Sequence, residues 1–217
     1  MIVVPFGLYG TGKTMFLTYL AYMAYTGAYD KVLLKKNNVK KQVYSNMRLR
    51  FVPECDRKGG NMTLDELVEI AQGDSQVHNT VFCFHEFHEW ADSWLTSGLT
   101  GAAKKRRISI GYLVNRCRKQ KNDFLLDTQH PSQMDNRIRE KAGFYILCNN
   151  LRIDRESHDP YLIYTIIPDP YGQSLGLSLL RPWTFIPPRS WIRRYGALYD
   201  SDEEPEWKTE AESAITV

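Results

Sequence analysis

Short apolar runs separated by polar, helix-patterned stretches set the rhythm of this chain. The first run, Ile2–Phe6, reads as a strand that stops at a glycine-rich loop. Met15–Thr26 is then apolar on most faces, as a buried helix is, and Gly27 can close it. Lys35–Lys41 is basic and loop-like, and Val43-Tyr44-Ser45 reads as a second short strand leading to Asn46. After a loop at Pro53–Gly60, Thr63-Leu64-Asp65-Glu66 opens a helix by a capping box, with Thr63 as N-cap and Glu66 at N3, ending near Gly73. Thr80–Phe84 is the clearest strand, β-branched and aromatic throughout. Helical material is expected around Glu86–Leu95, a glycine-containing loop at 98–101 and an amphipathic helix over Arg107–Lys121. A buried strand over Asp123–Thr128, a helix end over Ile138–Gly143 and a strand over Phe144–Cys148 follow.

Strands alternating with helices predict an α/β fold, a mostly parallel sheet with helices on both faces. Beyond Asn150 the pattern changes to strand and turn, with strands expected at Tyr161–Ile167 and Leu175–Leu180 and prolines between them. The expected organisation is an α/β core over 1–150, a β-rich extension of the same domain over 151–199, and an acidic tail over 200–217, disordered by composition.

Charge sharpens this picture. The chain holds 28 basic and 25 acidic residues, but residues 200–217 carry seven of the acids and a single base, Lys208. The preceding body therefore has 27 bases against 18 acids, a net of +9, which suits a polyanionic partner. A hydrophobic fraction of 43% is enough to fill a core, and no apolar run reaches the roughly 18 residues of a membrane span. The N-terminal stretch lacks the basic region of a signal peptide. The four cysteines show no C-x-x-C spacing, so structural zinc and a disulfide framework are not expected and a reducing compartment suits the chain.

The strongest chemical signal is Gly7-Leu8-Tyr9-Gly10-Thr11-Gly12-Lys13-Thr14, followed by Met15, a full Walker A pattern between a strand and a helix. Its glycines let backbone N–H groups converge on phosphates, at a helix N-terminus whose dipole favours anions. Lys13 would reach the β- and γ-phosphates of ATP, and the Thr14 hydroxyl would ligate Mg²⁺. Phe82-Cys83-Phe84-His85-Glu86 stands where a Walker B element belongs, with His85 in place of the usual Asp. Glu86 is the candidate base that orients attacking water. His85 either holds a metal-bound water or fills the position. His85 and His88 are spaced i, i+3, which does not suit the i, i+4 helical zinc motif. Gln129, after the strand that begins at Asp123, can sense the γ-phosphate, and an arginine at that strand's other end would point into a neighbouring subunit.

The set GLYGTGKT at 7–14, VFCFHE at 81–86 and RCRKQKNDFLLDTQHPSQMDNRIR at 116–139 resembles the FtsK/HerA superfamily of P-loop ATPases. Within it the chain is most similar to genome-packaging ATPases of membrane-containing icosahedral viruses, with Zot-like phage-assembly ATPases next. The resemblance implies a RecA-like sheet, with Gln129 as sensor and Arg118 or Arg116 as an arginine finger. Arg137 and Arg139 match a basic stretch that follows the glutamine. It further implies a homo-oligomeric ring, a hexamer or pentamer, moving double-stranded DNA into a preformed capsid. Capsid or membrane-vertex proteins would be partners without stable membrane insertion, in the host cytoplasm or at a virion vertex. Lys104, Lys105, Arg106 and Arg107 are the first choice for a lumen-facing DNA contact; Lys35, Lys36, Lys40, Lys41, Arg189, Arg193 and Arg194 are further candidates. Two other readings stay open: a Zot-like assembly or secretion ATPase, and a non-catalytic nucleotide-binding scaffold, motivated by His85.

Overall fold

The computed structural model describes residues 1–36, 39–52, 62–72, 77–89, 111–153, 160–176 and 179–199. Its main sheet has seven strands: β1 (Ile2–Phe6), β4 (Gln42–Ser45), β5 (Thr80–Phe84), β6 (Asp123–Leu126), β7 (Phe144–Ile153), β8 (Pro160–Pro168) and β9 (Trp183–Phe185). They lie in the order β4-β5-β6-β1-β7-β8-β9, while β2 (Tyr29–Asp30) and β3 (Lys35–Lys36) form a separate small ribbon. The pairs from β4 to β7 are parallel, and β8 and β9 add antiparallel. The β-rich C-terminal strands thus extend the same sheet.

Alternation along the strands builds two cores, one on each face. Val3, Val81, Cys83, Leu125 and Ile146 face one way with α1 (Lys13–Thr26) and α5 (Arg189–Gly196). Ile2, Val4, Phe82, Phe84, Phe124 and Leu126 face the other, with α2 (Leu64–Gln72), a helical segment at 111–116 and α3 (Asn136–Arg139). Both faces are covered, so the central strands read as continuous apolar runs. Ten of the fourteen residues of α1 are buried, which makes it an interior helix and explains its lack of a polar face. Gly27 closes it in the left-handed region at φ 71°, its N–H returning to Ala24 and Met23 carbonyls.

Local signals hold where the chemistry is local. The Thr63 hydroxyl accepts from the Glu66 amide at 3.2 Å, and the Glu66 carboxylate accepts from the Thr63 amide at 2.8 Å. Of the strand expected at Leu175–Leu180, the described residues 175, 176, 179 and 180 belong to no strand. Asp169 caps α4 (Pro170–Ser174), with proline at its first position, and the chain leaves it through Gly176 at φ 68°. Leu179 and Leu180 are exposed without strand partners, and β9 forms only from Trp183. The helix expected over Arg107–Lys121 gives way after residue 116 to turns, because Lys121 adopts a left-handed φ of 57° before β6. Around Glu86–Leu95 the described part is a single 3₁₀ turn at Phe87–Glu89. Residues 90–110, which include the four candidate DNA-contacting bases Lys104–Arg107, and the tail at 200–217 lie outside the described residues.

Candidate active site

The parallel order brings the C-terminal ends of β1, β5 and β6 to one edge of the sheet, where ligands of open α/β sheets bind. The loop after β1 carries Gly7, Gly10 and Gly12 at positive φ, of 145°, 71° and 82°. A side chain at Gly7 would run into the Cys148 carbonyl, whereas a Cβ at Gly10 would meet nothing within 4 Å. The loop is thus pressed against β7 at its base and open at its tip, with Leu8 and Tyr9 exposed. Thr11 ties the loop by donating to the Leu8 carbonyl at 2.6 Å.

Lys13 is buried, and its ammonium donates to the Gly7 and Leu8 carbonyls, each at 2.9 Å, under the Tyr9 ring. An ammonium held inside a glycine loop by carbonyls alone has no counter-anion among those contacts, which fits a phosphate chain as its partner. Gln129 sits at the same loop. Its carbonyl accepts from the Gly7 amide at 3.2 Å and its side-chain amide donates to the Tyr9 hydroxyl at 2.6 Å. Thr14 stands 3.2 Å, Oγ1 to Nδ1, from His85, and Met15 enters the core behind the loop.

Glu86 is partly exposed and adopts φ 50°, a left-handed conformation that costs a non-glycine residue about 1–3 kcal/mol and clusters at functional sites. His85 Nδ1 lies 2.8 Å from Asp127 Oδ2. Burial of the ring lowers the His85 pKa, but the charge and hydrogen bond of Asp127 outweigh this, and the net direction is upward. Among the described residues no three His, Cys, Asp or Glu side chains converge as a metal cage. The Thr14 hydroxyl, beside His85, offers the single protein oxygen that suits an Mg²⁺ keeping phosphate and water ligands, so the residues present fit that ion.

Four residues of this site went unassigned in the sequence: Asp127, Asn46, Tyr164 and Asn150. Asn46, fully buried, clamps the His85 main chain, donating to its carbonyl at 2.9 Å and accepting from its amide at 2.8 Å. Tyr164 donates to the Gly12 carbonyl at 3.1 Å, and Asn150 donates to the Gly10 carbonyl at 3.3 Å. A Cβ at Gly12 would stand 2.6 Å from the Tyr164 oxygen. Gly12→Ala should therefore lose nucleotide binding and lower the melting temperature. The left-handed φ alone costs about 1–2 kcal/mol. Calorimetric melting with a fluorescent-nucleotide titration checks both.

Arg116 and Arg118 are exposed before β6, at the end opposite Gln129. Arg137 is held by Asp135 at 3.0 Å, and Arg139 by Asn136 at 2.6 Å. Lys41 is drawn into an ion pair with Asp123 at 2.7 Å, so it is committed to the fold rather than offered to a polyanion. Lys40, Arg189, Arg193 and Arg194 are exposed.

This sheet order, with a glycine loop between β1 and α1, defines a P-loop NTPase fold. No family model matches the sequence, and no curated protein is similar to it. Among solved structures, the chain is similar to the N-terminal domain of zonular occludens toxin from Neisseria meningitidis. That likeness has a TM-score of 0.56 at 14% identity, covering 92% of this chain and 98% of that one. It is also similar to a genome packaging NTPase from Sulfolobus turreted icosahedral virus 2, with TM-score 0.43 at 15% identity, covering 86% and 96%. At 14% identity the likeness to the toxin domain is one of fold. Among the described residues no helix is long and apolar enough to cross a membrane.

Proposed function

We propose that this chain is an ATPase whose turnover drives double-stranded DNA through a homo-oligomeric ring into a preformed viral capsid. The observation that supports hydrolysis is the meeting of Lys13 and Gln129 on one phosphate loop, with Thr14 beside His85, the residue that precedes Glu86. Lys13 and the loop amides bind the phosphates, Glu86 orients the attacking water, and Gln129 reports the γ-phosphate to the Tyr9 tip. Mg²⁺, held through Thr14, would neutralise charge on the phosphate oxygens.

DNA as cargo is supported by the net +9 of the body before the tail. A translocating motor must tolerate any sequence, so phosphate contacts from Lys and Arg suffice. Lys104–Arg107, together with Lys40 and the arginines of α5, are the proposed contacts, and vertex proteins of a capsid the proposed docking partners. A Zot-like assembly ATPase is the second reading, favoured by a fold overlap that takes in 98% of the toxin domain.

One assay separates the two. Duplex DNA should stimulate ATP turnover by the packaging motor and leave a Zot-like ATPase unchanged. No turnover under either condition would point to the nucleotide-binding scaffold. Duplex affinity should also fall by about 10³-fold or more between roughly 50 and 200 mM salt, and differ little between unrelated sequences. Filter binding across a salt series measures this, and a strong preference for one sequence counts against translocation.

A further inference from the structure

The residue that follows β5 is a histidine, His85, where an acid would be expected, and yet a buried carboxylate lies one strand away. Phe84 and Leu126 are register partners in the parallel pair β5–β6, so His85 and Asp127 leave the sheet side by side. Asp127 is fully buried. A carboxylate there costs several kcal/mol unless it is hydrogen-bonded or paired. The Asp127 amide donates to the Phe84 carbonyl at 3.2 Å, and its carboxylate and backbone carbonyl meet the turn that follows β5. Oδ2 meets His85 Nδ1 at 2.8 Å, Oδ1 accepts from the Glu86 amide, and the backbone carbonyl accepts from the Phe87 amide at 3.0 Å.

Facing a carboxylate at that distance, His85 Nδ1 is assigned as N–H, a donor shared between Asp127 and Thr14 Oγ1. Asn46 grips the His85 main chain from the other side. The ring is thereby fixed between Asp127 and the hydroxyl that opens α1. The same carboxylate also holds the amide of Glu86 in its left-handed turn.

We infer that Asp127 supplies from β6 the acid that β5 lacks, acting as a positioning residue that sets His85 against Thr14 and fixes Glu86 at the metal–phosphate site. The inference rests on the nucleotide-binding reading above. It differs from a purely structural role for Asp127 in one respect: the negative charge should be transferable back to position 85.

The test is the affinity of the full chain for a fluorescent ATP analogue, measured in EDTA and across an Mg²⁺ titration. Asp127→Asn keeps the shape and an acceptor for the Glu86 amide but removes the charge. It should raise the Mg²⁺ concentration for half-maximal enhancement by about tenfold or more, as loss of an outer-shell partner does, and leave binding in EDTA near wild type. Adding His85→Asp to Asp127→Asn should restore most of the lost Mg²⁺ response. An unchanged Mg²⁺ response in Asp127→Asn overturns the inference. So does a folded double variant no better than Asp127→Asn, which would leave Asp127 as a scaffold of the turn. Where Asp127→Asn does not fold, His85→Asn cuts the link while sparing the Glu86 and Phe87 contacts, and an unchanged Mg²⁺ response there overturns the inference equally. Lys13→Ala should lose binding in EDTA and Mg²⁺ alike. A wild-type chain that binds in neither condition overturns the nucleotide reading itself, and the inference with it.

Discussion

Glu86→Gln should bind ATP about as well as the wild type and turn it over hundreds of times more slowly. The substitution keeps the side chain's size, and the Glu86 amide that Asp127 holds is untouched. What it removes is a carboxylate able to accept a proton from water, a contribution typically worth about 10²–10⁴ in rate. Binding survives because its source lies elsewhere, in the glycine loop and in Lys13. Lys13→Ala should give the opposite pattern, with affinity lost first, since the buried ammonium is the strongest positive charge inside the loop. Single-turnover hydrolysis with a fluorescent-nucleotide titration separates the two. Wild-type turnover in Glu86→Gln would remove Glu86 from the chemistry and make Asp127 the next acid to consider.

The contrast between these residues shows which parts of the site can be read along a chain. Gly7 to Thr14 are legible because a phosphate loop is built from consecutive residues whose φ demands appear as glycines. The Thr63–Glu66 box is legible for the same reason, its two bonds closing within one turn. Asp127 is different. It stands in the motif-bearing run FLLDTQ, but its meaning depends on β6 pairing with β5 in a register that puts it beside His85. The available signal was a charged residue ending an apolar strand, which must find a partner once buried. Asn46 gave a similar signal after Ser45. Tyr164 and Asn150 gave none, because β8 and β7 reach the loop only through the sheet order. The strand expected at Leu175–Leu180 shows the reverse failure: its described residues lie outside the sheet, just after a short helix whose Asp169–Pro170 start is a local signal in the sequence.

Arg118→Ala should lose most ATP turnover when alone, and regain part of it in rings shared with Glu86→Gln subunits. The geometry behind this is the parallel pairing of β6. Gln129 follows its C-terminal end and touches the phosphate loop, so Arg118, in the turns before its N-terminal end, lies at the opposite end of the strand from that loop. Arg118 is exposed and can therefore project into a neighbour. An arginine finger stabilises charge on the transferring γ-phosphoryl group and is typically worth about 10³–10⁵ in rate. Such a trans contribution would also couple each subunit's hydrolysis to contact with the next, which a motor requires to fire in order. In a mixed ring, some interfaces join an intact Glu86 on one subunit to an intact Arg118 on the other, and only those would turn over. Light scattering establishes that rings form, and differently tagged subunits pulled down together establish that they are mixed. Recovery should then rise and fall with the mixing ratio, peaking near equal amounts. Mixed rings without recovery would argue against a finger in trans. Full activity of Arg118→Ala by itself would transfer the role to Arg116, with Arg137 and Arg139 as poorer substitutes because Asp135 and Asn136 already engage their guanidinium groups.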